Sequence, residues 1–213
     1  MARRVFFSFH YNDVSDFKVN VVRNSDALKR KGNFATFIDK SLWEEARQKS
    51  PAALKELINN GLNGCGVTAL LIGSGTADRR WVKYELVKSF TEGKGILAVH
   101  LNRIRSRTTR KISKKGTSPL SRLKVRVDDN CEKLYFLELK DHKWSSFIDL
   151  PMVNNRKRNS FEFRDRWPSW RSQCGKEYLF SDLFPDEYCW QTDDGYNNFP
   201  DWVEQAAERV GRA

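Results

Sequence analysis

The chain has 213 residues, of which 39% are hydrophobic, with seven Trp and fourteen Phe. This apolar content excludes a disordered chain, and the length excludes two full domains of ordinary size. The net charge of +11 is unevenly spread, since residues 103–127 hold ten basic and no acidic side chains, and no apolar run is long enough to predict a membrane span.

Predicted strands and helices alternate over the first hundred residues. Apolar runs predict strands over 4–9, 34–38, 67–72 and 96–101. Helices are predicted over 14–31, 51–62 and 79–92, the second because Ser50 and Pro51 are typical of a helix start. A polar loop is expected over 40–49. The alternation predicts an α/β fold with a flavodoxin-like, doubly wound parallel sheet.

The alternation stops after the basic segment, residues 103–127. Two short apolar runs, 134–139 and 144–150, flank a polar turn and predict a β-hairpin. The residues beyond are rich in aromatic rings, which are too many to leave exposed, and a helix is predicted from about 200 to 210. We therefore expect a sheet domain over 1–125 and a hairpin and aromatic-rich extension over 126–213, packed on it in one globule.

The basic segment has no aromatic side chain between its charges. Proteins that bind single-stranded nucleic acid combine basic side chains with stacking rings, so nucleic acid is not an expected partner. A mobile, solvated loop is one interpretation. Binding of an acidic or phosphate-bearing partner is the alternative.

The cysteine and histidine residues show no metal-binding spacing. The four cysteines are far apart in the sequence, without a Cys-x-x-Cys pair, which predicts neither a zinc site nor a dense disulfide framework. Because no secretory or membrane segment is visible either, we expect a cytoplasmic protein without metal or resident cofactor and without a membrane partner.

Open parallel sheets bind ligands beyond the carboxyl ends of their strands. The candidate residues there are Ser8, His10, Asp39 and Ser74. Strand ends are often polar because the chain turns there, so this position alone does not identify a site. The turn at 73–76 lacks the glycines of a dinucleotide-binding fingerprint and the lysine of a phosphate-binding loop, so neither nucleotide motif is present.

Trp81 and Glu85 are four residues apart on the predicted helix 79–92 and therefore share one face. That face borders the core stripe of Val82, Leu86 and Phe90, so Glu85 is expected to be half sheltered. Periodicity alone describes Glu85 as an edge carboxylate and Trp81 as ordinary packing.

Four segments, in this order, resemble the Toll/interleukin-1 receptor (TIR) family. They are FFSFHYND at 6–13, TFID at 36–39, LLIGSGT at 70–76 and WVKYEL at 81–86. Further segments, KSLWEEA, KELINNGLN and CWQTDDGYNNFPDWV, are similar to the TIR-like ThsB proteins of bacterial Thoeris antiphage systems. The likeness then covers nearly the whole chain.

The resemblance implies an enzyme that cleaves NAD, releases nicotinamide and makes a cyclic ADP-ribose isomer, which activates a separate Thoeris effector. The Trp-x-x-x-Glu motif implies that Glu85 is the catalytic carboxylate. The substrate-binding residues implied with it are Ser8, Phe9, His10, Asp39, Ser74 and Trp81. The arginines that follow the first strand in some TIR enzymes are replaced by His10 and Tyr11, so their phosphate contacts are not carried over.

Two alternatives remain open at this stage. The first is a non-catalytic TIR module that signals by assembling with other TIR surfaces. The second is an infection sensor that uses the basic segment. The family also implies self-association through TIR surfaces, with the loop at 40–49 as the expected contact, and activation by a phage-derived trigger.

Overall fold

The structure of the protein is a computed structural model that describes residues 3–10, 18–25, 34–36, 38, 40–155 and 173–212. The first half contains, in chain order, β1 (Arg4–Phe9), α1 (Lys18–Asn24), β2 (Phe34–Thr36), α2 (Lys40–Lys49), α3 (Pro51–Leu62), β3 (Val67–Ile72), α4 (Arg80–Thr91) and β4 (Gly95–His100). The second half contains a 3-10 helix (Pro119–Arg122), β5 (Leu123–Val127), β6 (Lys133–Lys140), β7 (Lys143–Ser146), β8 (Met152–Asn154), β9 (Glu177–Leu179), α5 (Phe180–Leu183), β10 (Glu187–Cys189) and α6 (Gly195–Arg209).

The first sheet has five strands in the order β10-β4-β3-β1-β2, and every neighbouring pair is parallel. Alternate side chains of β1 enter two separate cores, as the pleat of a strand requires. Phe6 packs in the core that includes residues of α2, α3 and α4, whereas Val5 and Phe7 pack in the core that includes residues of α1 and α6. The predicted α/β fold with a doubly wound, flavodoxin-like sheet is confirmed.

The C-terminal extension supplies one edge strand and one helix of this layered arrangement. β10 pairs in parallel with β4, with Tyr188 beside Val99. Helix α6 lies so close to β4 that a Cβ atom added at Gly95 would stand 2.3 Å from the carbonyl oxygen of Ala206. Glycine at this position therefore permits the close approach of helix and strand.

The second sheet is antiparallel, with the order β7-β6-β5-β9 and with β8 also paired to β6. The predicted hairpin is present as β6 and β7, which pair from Leu137 opposite Ser146 to Lys140 opposite Lys143. This sheet covers the side of α4 that faces away from the first sheet, where Phe90 contacts Phe136 edge-to-face. Helix α4 is consequently enclosed on two sides.

Residues 40–49 form helix α2, so the prediction of a loop there is wrong. The polar composition suggested a loop, but oppositely charged side chains at helical spacing support a helix. Glu44 pairs with Arg47 and Glu45 with Lys49, each at 2.6 Å. Of the helix predicted over 14–31, the structure describes Lys18–Asn24 as helical, and most of the remainder lies outside the described residues.

The basic segment is more ordered than predicted. Residues 119–127 form the 3-10 helix and β5, so the interpretation as a mobile, solvated loop is wrong for this part. The preceding loop is anchored as well, because the backbone N–H of Ser113 donates to Asn102 and its side chain accepts a 2.7 Å hydrogen bond from Lys18. Many of its basic side chains are exposed.

One disulfide joins Cys131 to Cys174, which are separated by 43 residues in the sequence. This pairing connects the β5–β6 turn to the residues before β9, and the long separation explains why spacing alone did not predict it. Cys65 and Cys189 are free thiols. Among the described residues, every helix is too short or too polar to cross a lipid bilayer.

Candidate active site

Glu85 lies in the middle of α4 and points at the carboxyl end of β1. The Ser8 hydroxyl donates a 2.5 Å hydrogen bond to Oε2 of Glu85, across 77 residues of sequence. Ser8 is fully buried and Glu85 is 4% exposed. The fold thus joins the two residues beside the switch point, where the chain order reverses between β1 and β3.

Glu85 is more deeply buried than the half-sheltered position that periodicity predicted. The reason is that α4 buries two faces. Glu85 lies on the face toward the first sheet, together with Ser89, which is hydrogen-bonded to Thr68 of β3, whereas Phe90 packs against the second sheet.

The buried Lys83 ammonium pairs with Glu138 of β6 at 2.7 Å. Arg80 binds Asp149, in the loop between β7 and β8, through two hydrogen bonds of 2.7 and 2.8 Å. These contacts hold α4 against the second sheet and its β7–β8 loop.

Burial sets the protonation state of Glu85. Loss of hydration disfavours the carboxylate and raises the pKa of Glu85 to about 8, while the smaller effect of the Ser8 hydrogen bond opposes this rise. At neutral pH without ligand the side chain is therefore mostly the neutral acid. A strongly perturbed carboxyl group in a cleft is a recognised mark of a functional site.

A small, partly open cleft with an internal volume of about 10 Å³ adjoins Glu85. The other residues that line it have apolar or aromatic side chains: Phe6, Phe7, Phe9, Ile38 and Trp43. Small-molecule sites commonly enclose roughly 300–1,000 Å³. The described residues therefore leave room for about one water molecule beside Glu85, and binding of a nucleotide there requires the lining side chains to move apart.

The structure brings only some of the predicted site residues together. Ser8, Phe9 and Glu85 meet at the cleft. Trp81 is half-buried on α4 with its ring edge-to-face against Tyr84, and Ser74 is exposed in the turn after β3. Among the described residues, neither Trp81 nor Ser74 lines the cleft.

Asp39, the remaining strand-end candidate, lies outside the described residues. Its place in a substrate site stays a prediction.

His10 follows β1 directly and stands next to a cation. Its pKa is lowered, first by partial burial and then by the positive charge of Arg79. A neutral imidazole supplies no positive charge. Arg79 immediately precedes α4, and its Nε donates a 3.0 Å hydrogen bond to the carbonyl oxygen of Gly75.

Trp43 and Ile38 line the cleft but were absent from the sequence-predicted site. Trp43 is the only large aromatic residue among the charged residues of α2, and this contrast was the signal that could have marked it. Ile38 follows β2 near the carboxyl edge of the sheet.

A second histidine, His100, lies at the carboxyl end of β4 and contacts an acidic side chain. Its Nε2 lies 2.5 Å from Oε1 of Glu187 on β10. The hydrogen bond and charge of His100 contribute most to the lowered pKa of Glu187, against the effect of burial. In the part of the chain that the structure describes, no three His, Cys, Asp or Glu side chains come together as a metal site.

Comparison with known proteins gives two matches. The family model described as "Thoeris protein ThsB, TIR-like domain" matches residues 6–106. A protein of Bacillus cereus (strain MSX-D12), named "Putative cyclic ADP-D-ribose synthase ThsB1", is 41% identical over 203 residues. The matched region covers 95% of this chain and all of that relative. The matched family range includes Ser8, Glu85 and every residue that lines the cleft.

Proposed function

Because this chain belongs to the TIR-like ThsB family of Thoeris proteins, we propose that it cleaves NAD between nicotinamide and ribose and closes the remainder into a cyclic ADP-ribose isomer. Glu85 is the catalytic residue. The observation that carries the proposal is a buried carboxyl group, oriented by Ser8, in an otherwise apolar cleft at the carboxyl edge of the sheet.

One carboxylate is sufficient for this cleavage. Most glycosidases need a second, acidic group because an alkoxide leaving group has to be protonated. Nicotinamide leaves a cationic pyridinium as a neutral base, so no acid is required. The remaining demand is stabilisation of the positive charge that develops on the ribose, and a fixed negative charge in a site of low polarity meets that demand well.

The cleavage requires Glu85 as a carboxylate, and substrate binding favours that form. Without ligand, burial keeps Glu85 largely protonated at neutral pH. The cationic nicotinamide ring beside it favours the carboxylate and lowers its pKa, because opposite charges within a few ångströms stabilise each other. Binding of NAD is therefore coupled to the release of a proton from Glu85.

The apolar walls favour cyclisation over hydrolysis. When the bond from the ribose C1′ to nicotinamide breaks, C1′ is attacked either by water or by a nucleophilic atom of the adenosine half. The rings of Phe6, Phe9 and Trp43 leave little room for ordered water next to Glu85. A folded dinucleotide then supplies the nearer nucleophile. The cyclic product is a diffusible signal for a separate effector.

Mass spectrometry of NAD incubated with purified protein, and with lysate of phage-infected cells that express it, tests the proposal. Wild-type protein is expected to release nicotinamide and a product one water lighter than ADP-ribose, and Glu85→Gln is expected to release neither. Glu56→Gln, at an exposed position on α3, is the matched control and should behave as wild type.

Turnover by Glu85→Gln at the wild-type rate would refute the catalytic assignment. Release of ADP-ribose alone would refute cyclisation and retain the cleavage. Unchanged NAD in every wild-type sample would refute the enzyme and favour a non-catalytic module.

A further inference from the structure

We propose that Arg79 binds the diphosphate of the dinucleotide, an inference that rests on the proposed cleavage of NAD. In the proposed reaction the nicotinamide end lies next to Glu85, and the described residues that line the cleft there include no cation. A diphosphate carries two negative charges and is usually bound by arginine, whose planar guanidinium donates several hydrogen bonds at once.

The position of Arg79 along α4 suits this role. It is the residue that precedes the helix, and Glu85 follows six residues later, a rise of about 9 Å along the axis. One ribose separates the bond to be cleaved from the diphosphate in NAD. A dinucleotide can lie along α4 with its nicotinamide at Glu85. Its diphosphate is then near Arg79, at the carboxyl edge of the sheet.

The guanidinium is held in place without being neutralised. Its Nε donates to Gly75 at 3.0 Å, which leaves both terminal nitrogens for other acceptors. Arg79 is exposed, and among the described residues no carboxylate lies within ion-pair distance of it. Its neighbour Arg80 differs, because its Nε and Nη2 donate to the two carboxylate oxygens of Asp149.

The charges at the start of α4 also favour an anion. Two consecutive arginines stand here, Arg79 just before the helix and Arg80 as its first residue, and the first turn has no acidic residue. Positive side chains at a helix N-terminus oppose the helix dipole, and a bound anion reverses that effect. Asp149 neutralises Arg80. The pKa of His10 is lowered, so it adds little positive charge, and the effect of Arg79 on that pKa places the Arg79 charge near the end of β1.

Calorimetric titration with ADP-ribose tests the proposal without requiring catalysis. Arg79→Ala is expected to weaken binding roughly tenfold to a hundredfold, the usual effect of losing a hydrogen bond to a charged group. Arg79→Lys keeps the charge but loses the planar guanidinium, so its affinity should lie between those of wild type and Arg79→Ala. Arg126→Ala, an exposed arginine on β5 of the second sheet, is the matched control for loss of one positive charge.

Equal affinity of Arg79→Ala and wild type, or no binding by wild type, would overturn the assignment, as would an equal loss in Arg126→Ala. Thermal unfolding of each variant checks that the fold is kept. The two proposals fail separately. Cleavage of NAD that needs Glu85, with ADP-ribose binding unchanged in Arg79→Ala, overturns only the role of Arg79. Binding that needs Arg79, without any NAD cleavage, overturns only the enzyme.

Discussion

Replacing Glu85 with glutamine is expected to change how the stability of the protein depends on pH. The folded protein holds the Glu85 proton up to about pH 8, whereas an unfolded chain releases it near pH 4.5. The unfolded state therefore binds fewer protons between these values, and the wild type loses unfolding free energy as pH rises through this window. Glutamine does not titrate, so the variant lacks this contribution.

The magnitude follows from the pKa and the burial of the side chain. A tenfold change in proton affinity corresponds to about 1.4 kcal/mol, so a pKa of about 8 instead of 4.5 corresponds to roughly 5 kcal/mol at most. The stabilising contribution is complete below pH 4.5 and is lost by about pH 8. Relative to wild type, Glu85→Gln should thus gain roughly 4 kcal/mol at most between pH 5 and pH 8.5, because part of the contribution is already lost at pH 5. Glutamine can still accept the Ser8 hydrogen bond.

Urea unfolding of wild type, Glu85→Gln and Glu56→Gln at pH 5 and pH 8.5 measures this difference. The exposed Glu56→Gln variant should follow wild type at both values. A gap between Glu85→Gln and wild type that stays constant with pH would mean that Glu85 titrates normally, and the reasoning about its burial would be refuted.

Three further outcomes are expected. The kcat/KM for NAD should rise with pH and level off above about pH 8, because the free enzyme must lose the Glu85 proton; a flat profile between pH 6 and pH 9 would contradict this. Asp149→Asn should lower the unfolding free energy by roughly 2 kcal/mol in urea titrations, because Arg80 loses a paired carboxylate; unchanged stability would show that this contact does not anchor α4. Gly95→Ala should lower it by about 1–3 kcal/mol, because the added Cβ meets the Ala206 carbonyl; a thermal midpoint equal to wild type would show that α6 can shift freely.

The central strands were predictable because a strand that is buried on both faces is a continuous run of apolar residues in the sequence. β1 and β3 are apolar runs covered on both faces, and both have the predicted bounds. β10 has only three residues, Glu187–Cys189, and belongs to the first sheet solely through its pairing with β4. The residues next to 187–189 in the sequence do not indicate this pairing with β4.

The candidate site shows the same division. Family resemblance identified Glu85, and the position of Ser8 at the end of β1 followed from the predicted sheet. The depth at which Glu85 is buried did not, because periodicity describes one helix and one core, whereas α4 has a sheet on each side. Trp43 was missed for a related reason, since the residues around it were interpreted as a loop.

The late position of β10 in the chain has a consequence for folding during synthesis. Until residues 187–189 leave the ribosome, the free edge of β4 presents unpaired backbone groups, and α6, which covers one face of the sheet, has not yet been made. Exposed strand edges and apolar faces favour association with other chains. Contacts between distant parts of a chain also form slowly. Nascent chains should therefore depend on chaperones for longer than the short, locally connected β-α units suggest. Expression at lower temperature should increase the yield of folded protein.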